Sequence, residues 1–89
     1  MKEIELKKSL IKKGYNVYVW SDKPNEHYKS HNHPYDTKLI ILRGSMKLTM
    51  ENRIFELKPG KEFYIKAKEM HGALIGKEGC RYLVGEKIK

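Results

Sequence analysis

Short runs in which apolar and polar residues alternate recur along this chain, each cut off by residues that favour turns. In YNVYVW, Tyr15, Val17 and Val19 oppose Tyr18 and Trp20, and EHYKS, TKLIILR, SMKLTM, RIFEL, EFYIK, HGALIG and CRYLVGE follow. Between them stand DKPN, RGS, MEN, KPGK, KAKEM and GKEG. A period of two puts successive side chains on opposite faces, which suits a strand and not a helix. About eight strands of roughly six residues specify an all-β, closed or double-layered antiparallel barrel, because alternation buries one face and closure hides the edges. TKLIILR is apolar on both faces, as a central strand covered on both sides would be.

Only the opening segment breaks this pattern. In EIELKKSLIKKGYN, Leu6, Leu10 and Ile11 recur at helical spacing and Gly14 stands where a helix C-cap would. KEIEL alternates and reads equally as a strand; such a strand would be an exposed edge for a second subunit to cover, giving a homodimer. With 89 residues, most apolar side chains share one core and residues 1–89 form a single domain.

Cys80 is the only cysteine, which excludes an internal disulfide and suits a reducing compartment. The charged N-terminus lacks the apolar centre of a signal peptide, and no run approaches the ~20 apolar residues that span a bilayer. A cytoplasmic protein without a membrane partner is expected. The formal charge of +8 attracts phosphate polymers, but 16 of the 19 basic residues are lysines, scattered and interleaved with acids. Arg43, Arg53 and Arg81 form no cluster, so a lysine-rich solvated surface is expected and a nucleic-acid partner is not.

Within KSHNHPYDTKLIILRG, His31 and His33 share one face of an extended segment. Two imidazoles so placed offer neutral nitrogen donors to a common ion at about 2 Å, with a third ligand required from a neighbouring strand. His71 opens HGALIG and would fold back across from that pair. His27 has the same parity but sits four residues earlier, and is read as a rim residue. A solvent-facing His-x-His arises readily without metal, so the spacing alone leaves both readings open.

The stretches HNHPYDTKLIILRG and ELKPGKEFYIKAKEMHGALIG resemble the paired motifs of the cupin superfamily, over residues 24–76. His31, His33 and Gly44 match the first motif, with Pro34, Tyr35 and Asp36 also typical of small members; Asn25 stands in for its first Gly and Thr37 for its Glu. Gly60 and His71 match the second motif, while Lys66, Lys68 and Ile75 replace its Pro, Gly and Asn. Residues 45–59 match the short spacer of single-domain members.

The resemblance implies a cupin-type double-stranded β-helix, jelly-roll-like, with residues 1–14 as a helix or edge segment. It also implies a divalent transition metal, zinc, iron, nickel or copper, held by His31, His33 and His71, and a small-molecule ligand. Thr37 offers only a neutral hydroxyl, and Asp36 points to the opposite face unless a bulge re-aims it. Three functions follow: an enzyme of oxygenase, isomerase or hydrolase type, a binding module without turnover, or a degenerate cupin that has lost its metal. Tyr35, Tyr64 and Glu69 are acid or base candidates by proximity to the motifs alone. Lys66 and Lys68 would favour an anionic ligand if they reach the mouth. Met46, Leu48 and Met50 share a face, as do Phe63 with Ile65 and Leu39 with Ile41; these sets either line a pocket or fill the barrel.

Overall fold

The computed structural model describes residues 3–87. Helix α1 (Glu3–Lys12) is followed by strands β1 (Asn16–Asp22), β2 (His27–His31), β3 (Asp36–Met50), β4 (Arg53–Leu57), β5 (Glu62–Ile65) and β6 (His71–Lys87). The strand alternative for KEIEL is thereby overturned, with Lys2 outside the described residues. Glu3 and Glu5 lie in the first turn and Lys12 in the last, each matched to the helix dipole. At the C-terminus Tyr15 N–H donates to the Leu10 carbonyl and Gly14 N–H to that of Ile11, with Gly14 at φ 94°. These two bonds form a Schellman cap, and Gly supplies its left-handed residue without Cβ strain.

Six strands replace the eight expected runs, because TKLIILR and SMKLTM are two halves of β3, and HGALIG and CRYLVGE two halves of β6. The eight segments survive as pairing units. Residues 36–44 of β3 pair with residues 80–87 of β6, and residues 46–49 pair with residues 72–75, the register shifting at the bend between them. The layer of residues 36–44 and 80–87 extends sideways to β1 and β5, the layer of residues 46–49 and 72–75 to β2 and β4, giving two antiparallel layers that share β3 and β6. The sheet is not closed, and the arrangement is that of a jelly roll.

Leu39 and Ile41 from one layer and Met46, Leu48 and Ile75 from the other join one buried cluster, which places the main core between the layers. On the outer face Leu10 of α1 packs with Ile40 and Leu83, flanked by Leu6, Val17 and Val19. The apolar part of TKLIILR is therefore covered on both sides, Leu39 and Ile41 by the opposite layer and Ile40 and Leu42 by the cluster around Leu10 of α1. Each fully buried Leu or Ile contributes about 2 kcal/mol. The helix is thus a lid on one layer, and Leu83 beneath it is wholly shielded from solvent.

The four glycine positions of the two motifs share one backbone property. Asn25, Gly44, Gly60 and Lys68 have φ of 64°, 81°, 88° and 68°. Asn tolerates that region better than most residues, whereas Lys does so at a cost of roughly 1 kcal/mol or more. Residues 58–61 show the simplest case: Lys61 N–H donates to the Lys58 carbonyl across Pro59 and Gly60, a turn with Pro and Gly in their favoured places. Asn25 and Lys68 thus adopt the left-handed backbone that a glycine at each motif position would take without strain.

Candidate metal centre

β2 and β6 bring the histidines together. His31, the last residue of β2, lies directly opposite His71, the first residue of β6. His33 follows in the link to β3, where the Lys68 N–H donates to its carbonyl at 2.7 Å and ties the link to the segment ahead of His71. The ring centroids are 4.5 Å apart for His31 and His71, 4.8 Å for His31 and His33, and 5.0 Å for His33 and His71. One nitrogen from each ring falls within 4.8 Å of the others.

The tautomers follow from the backbone. Nδ1 of His31 lies 2.7 Å from the Lys29 carbonyl and Nδ1 of His71 lies 2.9 Å from that of Glu69. A carbonyl only accepts, so both Nδ1 atoms carry the proton and each Nε2 keeps a free lone pair. This second contact is the one that orients metal-binding imidazoles. Burial holds His33 and His71 below the ordinary histidine pKa, and the neighbouring imidazoles push the same way. Both favour the neutral, ligating form. His71 is 5% exposed, and the residues present fit a transition ion bound by three nitrogens.

His27 is exposed and stands across from Leu74 on another groove, away from the centre. A register shift between Tyr28 and His31 reverses the parity that would have put it beside His31. Tyr28 points inward instead. Asp36 does not bind here: its carboxylate accepts the Ala67 N–H at 2.8 Å. The Tyr64 hydroxyl and that N–H hold Asp36 below the usual carboxylate range, and the same pairing pushes Tyr64 up to about 12. The pair fastens the loop before His71.

Beneath the histidines lies a cavity of ≈ 260 Å³. Leu39, Met46, Leu48 and Ile65 form its apolar wall, whereas Ile41, Met50 and Phe63 of the same sets pack in the core instead; Tyr18, Trp20 and Tyr28 edge the cavity, and Thr37 and Glu86 also reach it. Tyr35, Tyr64, Glu69, Lys66 and Lys68 are not among its lining residues. Glu69 instead accepts the Lys66 N–H within its own turn. Closeness to the motifs along the chain does not bring Tyr35, Tyr64 or Glu69 to the cavity, whereas alternate residues of β1 and β6 line it. The aromatic edge is fixed by Asp22, which accepts from Trp20 Nε1 at 2.9 Å, from the Tyr28 hydroxyl, and from the Tyr82 hydroxyl at 2.7 Å. Nothing in the sequence near the motifs pointed to Asp22 or Glu86.

A family model described as a cupin domain matches residues 18–85. No curated protein matches the sequence. Among solved structures, a cupin superfamily protein from Desulfitobacterium hafniense superposes with a TM-score of 0.75 at 21% identity, over 84% of this chain and 68% of that one. The polyketide cyclase RemF from Streptomyces resistomycificus gives 0.72 at 28%, over 83% of this chain and 55% of the cyclase. The DMSP lyase DddQ from Ruegeria pomeroyi gives 0.77 at 22%, over 85% of this chain and 39% of the lyase. These likenesses agree with the two-layer topology, and the match over residues 18–85 spans both histidine segments; the chain belongs to the cupin family.

Proposed function

We propose that the protein holds one divalent transition metal, zinc, iron, nickel or copper, through His31, His33 and His71, and acts there on a small, largely apolar molecule. The observation that carries this reading is the pair of Nδ1–carbonyl contacts that leave the His31 and His71 Nε2 atoms free beside His33. Three nitrogens and no carboxylate favour these metals over calcium or magnesium. When bound, such an ion supplies Lewis acidity and can activate a bound water or oxygen.

The rest is the barrel's own contribution. Leu39, Met46, Leu48 and Ile65 exclude water from the body of a ligand, and the hydroxyl oxygens of Tyr18 and Tyr28, whose protons go to Glu86 and Asp22, offer acceptors at the edge. A flat apolar molecule with one polar or anionic end toward the histidines suits this space. The likeness to a polyketide cyclase at 28% identity supports turnover over storage. A second reading, a metal-free barrel that binds a small molecule without catalysis, is favoured by Thr37 at the motif's carboxylate position.

Elemental analysis separates them, on protein purified without chelator or nickel affinity resin and compared with a variant carrying His31→Ala, His33→Ala and His71→Ala. About one equivalent of a transition metal, lost in the variant, is expected for a three-nitrogen site. No uptake by either protein after reconstitution supports the metal-free reading.

We also propose a homodimer. With KEIEL helical, the contact moves to β1, which pairs only with β6 and leaves its other edge unpaired among the described strands. Light scattering at micromolar concentration should give twice the chain mass; a mass of 10.5 kDa would overturn the dimer.

A further inference from the structure

We infer that Glu86 supplies, from the far end of β6, the carboxylate that the centre lacks at Thr37. The inference rests on the metal reading above. Thr37 and Glu86 are direct partners across β3 and β6, and both reach the cavity that the three histidines line. Residues paired in this way project from the same face with their Cβ atoms about 5 Å apart. An acid at either position therefore serves the same space. On this inference the acid sits across one strand pair from its motif position, on β6 and not on β3.

Electrostatics gives an acid at this position a purpose. Three neutral imidazoles leave the charge of a divalent ion uncompensated in an apolar cavity, and a nearby carboxylate offsets it. Glu86 is half-buried, and its negative charge already acts on His33, opposing the effect of burial. Its commitments elsewhere are weak. It accepts from the Tyr18 hydroxyl at 3.5 Å, and among the described residues no lysine or arginine forms an ion pair with it.

The bland alternative is a solvated acid near a strand end. Against it stand the inward parity shared with Tyr82 and Val84 and the place in the cavity wall. The Glu86 oxygens are not part of the cluster of ligand atoms formed by the histidines. Its role is accordingly that of a positioning residue, accepting a hydrogen bond from whatever occupies the open side of the ion.

Zinc affinity, read by competition with a chromophoric chelator, tests this without any activity assay. Glu86→Gln keeps the shape and removes the charge, and is expected to weaken binding about 10- to 100-fold, the usual cost of losing such a partner. Glu86→Asp keeps the charge and should stay within a few-fold of the wild-type affinity. The exchange variant T37E/E86Q should recover most of the loss, because it returns the acid to the paired position. Equal affinity in wild type and Glu86→Gln would overturn the inference while leaving the metal reading intact. A loss in Glu86→Asp as large as in Glu86→Gln would also overturn it, by assigning the effect to packing. No zinc uptake by the wild-type protein would overturn the metal reading, and this inference with it.

Discussion

Gly44→Ala is expected to destabilise the protein by about 3 kcal/mol or more, the sum of a strained left-handed residue and an overpacked contact. Gly44 sits at φ 81° where β3 passes from one layer to the other, and a Cβ built there collides with the carbonyl oxygen of Gly79. That atom is backbone of the adjoining strand and cannot swing aside as a side chain would. Gly60 is the natural control, because it has φ 88° but nothing within 4 Å of an added Cβ. Gly60→Ala should lose only the conformational part, roughly 1–2 kcal/mol. Urea midpoints of the two variants decide the matter. Equal losses would mean that the close crossing of β3 and β6 at the bend does not constrain the fold.

Saturating metal should raise the thermal midpoint by roughly 10–20 °C. Free metal at a hundred times its dissociation constant adds about 2.7 kcal/mol to a folded state that alone binds it. For a domain of this size each kcal/mol moves the midpoint by about 4–8 °C. His71→Ala should abolish the shift, since the β6 donor opposite His31 is gone. His27→Ala should preserve it, because that side chain faces another groove. A shift that survives in His71→Ala, or disappears in His27→Ala, would place the metal somewhere other than the three-histidine centre.

Much of this was legible because strand periodicity is local. The eight alternating runs mark the eight pairing units, and TKLIILR announces by its composition that both its faces are covered. The runs did not show which of them are continuous. Whether Gly44 ends a strand or bends it depends on a partner 36 positions away, Cys80, which pairs with it across β6. KEIEL was ambiguous for a related reason: a few alternating residues suit either state, and the choice came from the apolar outer face of Ile40 and Leu83 waiting for Leu10.

The centre divides the same way. His31, His33 and His71 were readable as candidate ligands from spacing and from the motifs they complete, because neighbours at i and i+2 share a face whatever the rest of the chain does. Their convergence needed the pairing of β2 with β6. His27 shares their parity but reads as a rim residue four positions earlier, and the shift after Tyr28 keeps it off the centre. Asp36 faces away, as a one-residue step along a strand requires, and its carboxylate accepts the Ala67 N–H instead. Tyr35, Tyr64 and Glu69 are close to the motifs along the chain, yet the cavity is walled by residues distant in sequence, among them Tyr18, Leu48 and Glu86.

By itself, then, the sequence determined a double-layered antiparallel fold, the residues of its core strands, and three histidines as candidate ligands, since alternation and motif spacing act within short segments. Only the tertiary structure decided where strands bend, which face His27 takes, and that Glu86 lies across from Thr37. Those are facts of register between segments far apart in the chain, and register is fixed by packing of the whole core, not by any one stretch of residues.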